Sequence, residues 1–189
     1  HFLSITSLKD NELNGEDSLV EEKTIAQRLS NSTDMVVLTS LWQILFKGVE
    51  ELIELTSNVV TVRCHSLEQE RGYQFEGITW WQHPEYTEVT QELGRLNFSI
   101  YCTPGHTPGH VTIVGNGAVI TGDCLFLGRC GRTDLFGGDP GKQRKSLLYL
   151  RKILLQLDGQ HVVLPGHRYE LSDGSNPTTL KLTEVMRNN

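Results

Sequence analysis

YCTPGHTPGHVTIVGNGAVITGDCLFLGRCGRTD, residues 101–134, concentrates the recognisable chemistry of this chain. Around and within it, residues 98–102, 111–114 and 118–121 read as short strands, rich in β-branched and apolar residues. The last two are joined through Gly115-Asn116-Gly117, and Asn-Gly is the expected two-residue hairpin signal. His106 follows the first strand and Asp123 the third; a further strand at 161–164 runs into Pro165-Gly166-His167. Side chains at strand ends can converge on one point, and imidazole with carboxylate is the usual donor set for zinc or iron. One histidine after Pro-Gly is an ordinary turn residue. Two such turns and a Gly-Asp after a buried strand together point to a site.

Outward from this stretch, the pattern alternates. Residues 2–6 and 35–39 read as short strands, 19–29 as a helix capped by Asp17 or Ser18, 41–55 as a helix and 59–64 as a strand. Residues 68–92 mix Trp80, Trp81 and Tyr86 with Pro84 and read as a loop or lid, with only 88–94 helical. Residues 146–157 carry Leu147, Leu150, Ile153, Leu154 and Leu157 as a helical stripe. Strands alternating with helices predict a layered α/β (α+β) domain whose sheets are covered by helices. Length and composition suit a single domain over 1–189.

Composition narrows the function classes. With 38% hydrophobic and 21% charged residues the chain is neither disordered nor membrane-like, and no apolar run approaches the roughly 18 residues that span a bilayer. A formal charge of -6 argues against nucleic acid, and Lys142, Arg144, Lys145, Arg151 and Lys152 read as a solvated helix face. The four cysteines show no CxxC spacing, which suits a reducing compartment and a soluble intracellular protein. His1 is expected to lie inside a longer or processed chain.

The motifs TPGHTPGH, VITGDCLFLGRCGRTD, GGDP and VVLPGHRY together resemble the metallo-β-lactamase fold superfamily, and most of all its glyoxalase II and persulfide dioxygenase branch. The resemblance is carried by residues 101–169 and implies a four-layer αββα sandwich. It also implies that His106 is a ligand of a first metal, that Asp123 bridges two metals and that His167 is a ligand of the second. The other ligands of such a centre come from an HxHxDH motif directly after a strand ending in Leu-Thr. Here Leu38-Thr39 is followed by Ser40, Leu41, Trp42, Gln43, Ile44 and Leu45. Ser40 and Trp42 occupy the two first-metal histidine positions, and Ile44 and Leu45 those of the aspartate and histidine of the second metal.

This departure sets the functional expectation. A hydrolytic zinc needs firm ligands, an open position and a bound water of pKa about 7, and one histidine with a shared aspartate per metal does not supply that. The favoured reading is a degenerate, non-catalytic binding or structural module with no cofactor. In it Trp42, Ile44 and Leu45 fill the former metal pocket, each large apolar side chain stabilising by roughly 1.5–3 kcal/mol when fully buried. The alternative is an enzyme that closes His106, Asp123 and His167 on a single zinc or iron, acting on small thiol esters or persulfides. Cys130, Arg132, Asp134 and Tyr169 are the expected pocket residues. Arg132 is expected to pair with Asp134 and pin its loop, while Arg129 and Arg132 flank the Cys130 thiol. His65, His83, His110 and His161 read as strand-end or loop residues. The first strands of the family have no good equivalent in residues 1–18: either they precede His1, or the first sheet has lost strands, which would leave an edge for a protein partner or complex subunit.

Overall fold

The computed structural model describes residues 2–3, 35–37, 61–71, 78–93 and 96–189. The expected degenerate positions Ser40, Trp42, Ile44 and Leu45, and both helices expected at 19–29 and 41–55, lie outside the described residues. The described residues form two larger sheets and a two-stranded one. One has the order β1 (Phe2–Leu3), β2 (Met35–Val37), β3 (Thr61–His65), β4 (Ile78–Trp81), with all neighbours parallel. A 3-10 helix, Ser66–Arg71, follows β3.

The second sheet contains β5 (Glu88–Leu93), β6 (Leu96–Cys102), β7 (Val111–Gly115), β8 (Ala118–Gly122), β11 (Val162–Pro165) and β12 (Leu180–Lys181) in the order β12-β11-β8-β7-β6-β5. A small antiparallel hairpin, β9 (Leu125–Phe126) with β10 (Arg129–Cys130), lies between β8 and helix α1 (Pro140–Leu154) in sequence; helix α2 (Leu182–Asn188) follows β12.

Strand period explains how the six-stranded sheet is covered on both faces. Phe98 and Ile100 of β6 and Val111 and Ile113 of β7 form one cluster, against which Trp81 of β4 and Ile120 pack, so this face meets the other sheet. Tyr101, Val114, Val119 and Val163 point the other way and pack with Leu150 and Leu154 of α1 and Leu182 and Val185 of α2. The Asn116-Gly117 turn forms as expected between β7 and β8, both residues having positive φ (52° and 76°), which the twist of a tight hairpin requires.

Three expectations change. Residues 88–93 are not helical, Gly94 of the expected helix lying outside the described residues: Glu88–Leu93 is an edge strand that pairs antiparallel with β6 along its whole length. Its alternating exposure fits a strand, and the cross-strand ladder decides over the modest helical preference of Glu and Gln. Within the expected loop, Ile78–Trp81 is a strand because Trp81 is needed between the sheets. Helix α1 starts at Pro140 rather than 146: the Asp139 side chain accepts the Lys142 N–H at 2.9 Å, and proline suits the first helical position. Leu147, Leu150, Ile153 and Leu154 pack on the sheet as expected, but the helix ends at Leu154 rather than 157, and Leu157 packs there from the turn beyond it.

Candidate functional site

Strand directions bring the three singled-out side chains together. β8 and β11 are parallel neighbours with Gly122 opposite Pro165, so Asp123 and His167 leave adjacent strands at the same end. β6 runs the same way, two antiparallel steps from β8, and hands the chain to the turn bearing His106. Asp123 lies between the imidazoles, with Oδ2 3.2 Å from His106 Nε2 and Oδ1 2.6 Å from His167 Nδ1. The side chains of His106 and Asp123 are 5% exposed, and that of His167 is 21% exposed, on the open side. Burial pushes the Asp123 carboxyl upward, but the hydrogen bonds and charges of His106 and His167 outweigh it and hold the group below the usual carboxylate range.

The surroundings orient each member. His106 Nδ1 donates to the Arg132 carbonyl oxygen at 2.7 Å, which leaves Nε2 turned towards the carboxylate. A backbone carbonyl on the far nitrogen is the arrangement that orients metal-binding histidines. The His106 turn is held by α1, where the Asp139 N–H donates to the Gly105 carbonyl at 2.8 Å and Ser146 Oγ to the Pro104 carbonyl at 2.5 Å. His110 is fully buried: its Nε2 accepts the Asp123 N–H at 3.0 Å and its Nδ1 donates to Thr103 Oγ1 at 3.0 Å. Burial, then the neighbouring His106, lowers its pKa to about 3, so it is a neutral support. Two glycines permit the close approach: a Cβ at Gly131 would stand 1.9 Å from the Asp123 carbonyl oxygen, and one at Gly166 would stand 2.4 Å from Asp123 Oδ1.

Of the expected pocket residues, Tyr169 lies beside His167, while Cys130, Arg132 and Asp134 are exposed. Tyr169 packs on Phe126 (ring centroids 5.1 Å) and beside His167 (6.4 Å), with the Arg129 guanidinium 4.6 Å above its ring. Cys130 is exposed, whereas Cys64, Cys102 and Cys124 are buried. Arg132 pairs with Asp134 through two hydrogen bonds of 2.7 and 2.6 Å at the surface, as expected.

The remaining histidines among the described residues have local partners. His65 Nδ1 accepts the Leu67 N–H at 3.3 Å and its Nε2 donates to the His83 carbonyl at 3.2 Å, while His83 Nδ1 accepts the Trp81 indole N–H at 3.0 Å. His161 bonds its own turn through the Asp158 carbonyl. The reading of His65, His83 and His161 as strand-end or loop residues agrees with these contacts. What it missed is the support given by His110, by Gly131 and Gly166 and by the Arg132 carbonyl. Only the repeated Pro-Gly-His pattern and the glycines beside Asp123 and His167 signal them in the sequence.

The family described as the metallo-beta-lactamase superfamily matches residues 56–167. The hydroxyacylglutathione hydrolase of Anaeromyxobacter dehalogenans is 42% identical over 77 residues, 41% of this chain and 29% of that protein. Its counterpart in Methylobacillus flagellatus is 34% identical over 122 residues, 65% of this chain and 43% of that protein. The matched segments thus span less than half of either hydrolase. The crystal structure of ETHE1 from Myxococcus xanthus covers 100% of this chain, and 72% of that chain is covered, with a TM-score of 0.68 and 25% identity. TTHA1623, crystallised in a di-iron-bound form, shares the fold with a TM-score of 0.60 and 24% identity over 95% of this chain and 86% of its own. No helix among the described residues is long and apolar enough to cross a membrane. By its matched residues and its αβ architecture, the chain belongs to the metallo-beta-lactamase superfamily.

Proposed function

We propose that this chain is a metallo-hydrolase-fold protein that has lost the two-metal centre and serves as a non-catalytic binding or structural module, docking to a protein partner. The observation that carries this reading is the residue types Ser40, Trp42, Ile44 and Leu45, which provide one hydroxyl and no imidazole or carboxylate. Together with His106, Asp123 and His167, the donors do not fit two metal ions that each need several firm ligands. No catalytic step is therefore assigned to metal ions here. Metal analysis of the purified chain tests the reading: a content well below one ion per chain is expected, and a tightly bound stoichiometric metal removes it.

A second reading is favoured by one observation, the convergence of His106, Asp123 and His167 from three strand ends with a carbonyl behind His106. Two imidazoles and a carboxylate suit a single zinc or ferrous ion. In that case the chain acts on a small thiol ester, as the name of the hydroxyacylglutathione hydrolases suggests, or on a related persulfide. Its discriminating variant is His106→Ala, which lowers metal content under this reading and leaves it unchanged under the first.

A further inference from the structure

Glu68 lies on the 3-10 helix that follows β3, in the sheet opposite the His106 turn, and is 0% exposed. Its Oε1 accepts the Gly109 N–H at 2.6 Å across 41 positions of sequence. The approach is close: a Cβ at residue 109 would stand 2.9 Å from both Cγ and Oε1 of Glu68, so a side chain there would force the carboxyl group to shift. Gly109 is bonded to His110, whose Nε2 receives the Asp123 N–H and whose ring meets that of His106 edge-on at 6.3 Å. The first half of the turn is tied to α1 through Pro104 and Gly105, and the contact from Glu68 ties the second half to the other sheet.

We propose that Glu68 is a positioning residue: by holding the Gly109 amide from the opposite sheet it places His110, and through His110 it sets the Asp123 backbone on which His106 and His167 converge. A buried N–H left without its acceptor costs free energy comparable to a lost hydrogen bond, so the turn would move to satisfy Gly109 if Glu68 no longer reached it. The inference goes beyond the proposed function, because the placement is the same whether or not the centre holds a metal.

Two variants of the full chain separate reach from charge. Glu68→Gln keeps the length and an accepting oxygen, and Glu68→Asp keeps the charge but is one methylene shorter. Amide hydrogen exchange followed by NMR is the readout, with the His110 Nε2 nitrogen shift beside it. The Gln variant is expected to keep Gly109 and Asp123 protection within about threefold of the parent, and the Asp variant to lose about tenfold or more at both while Val163 in β11 is unchanged. The proposal is overturned if Asp123 and the His110 shift stay unchanged when Gly109 loses protection, if Gln behaves like Asp, or if Val163 loses protection equally. Should the Asp variant not fold, the Gln variant decides alone: a Gly109 amide shift change accompanied by changes at His110 and Asp123 supports the proposal, and a Gly109 change with Asp123 unmoved overturns it.

Discussion

Two groups of histidines sit near strand ends in this molecule, and they are built on different electrostatics. His106 and His167 surround the carboxylate of Asp123 at 3.2 and 2.6 Å. His65 and His83, with ring centroids 5.3 Å apart, bond instead to backbone groups and to the Trp81 indole. Burial lowers the pKa of His65, against smaller raising effects of the His83 backbone, Glu68 and Glu85. Burial and then His65 lower that of His83 to about 4. The first group therefore gathers around a retained negative charge that polar or metal chemistry can use. The second is kept neutral and works as polar packing between β3, β4 and the connection to β5. In the sequence the two look alike, because a histidine at a strand end announces its place but not its neighbours.

The sharpest way to break the first group is steric. Gly131→Ala puts a Cβ 1.9 Å from the Asp123 carbonyl oxygen and is expected to cost about 3 kcal/mol in urea denaturation. Gly117→Ala, where φ is +76° but nothing lies within 4 Å, should cost only about 1 kcal/mol, the conformational penalty alone. Equal effects would mean that the Asp123 loop yields to the intrusion.

Acid titration separates the groups by window. For His83 the unfolded state takes up its proton near 6.5 and the folded state only near 4, so its stabilising contribution is present above 6.5 and falls away as pH drops towards 4. Asp123 is depressed, so its contribution is complete above 3.8 and is lost only at lower pH. His83→Gln should flatten the loss of stability between pH 6.5 and 4 and leave the loss below 3.8 in place. His65, lowered by burial, and His110, held near 3 by burial and His106, keep part of the upper slope in that variant. An unchanged profile between 6.5 and 4 would break the assignment of that window to His83.

Smaller effects sharpen the contrast. Trp81→Phe retains most of the apolar contact between the sheets but removes the 3.0 Å indole bond to His83, for an expected loss of about 1 kcal/mol. Among the four thiols, only exposed Cys130 should react rapidly with a maleimide in the native state, since Cys64, Cys102 and Cys124 are buried. Arg132→Ala should leave the unfolding midpoint unchanged, because its pair with Asp134 is 62% and 67% exposed and screened by water.

The parts of the fold that were legible in sequence are those with a local code. The β7–β8 hairpin is written in Asn116-Gly117, the apolar face of α1 in its leucine spacing, and the ends of β6, β8 and β11 in the turns bearing His106, Asp123 and His167. What stayed hidden depends on distant partners. Residues 88–93 become a strand because β6 offers an edge, and Trp81 becomes a strand residue because the second sheet needs filling. The start of α1 was available in Asp139-Pro140, but the leucine stripe drew the expected boundary inward. At the site, the three converging residues carried their own turn signals, whereas Glu68 acts 41 positions from its partner and nothing local marks it.

The central claim is that the retained half, His106, Asp123 and His167, no longer belongs to a two-metal centre. The measurement that tests it most directly is zinc titration by calorimetry on metal-stripped protein, with the metal content of the protein as purified. Metal content well below one ion per chain and no tight zinc binding are the predicted results. Stoichiometric, tightly held metal that is lost in His106→Ala would contradict the account.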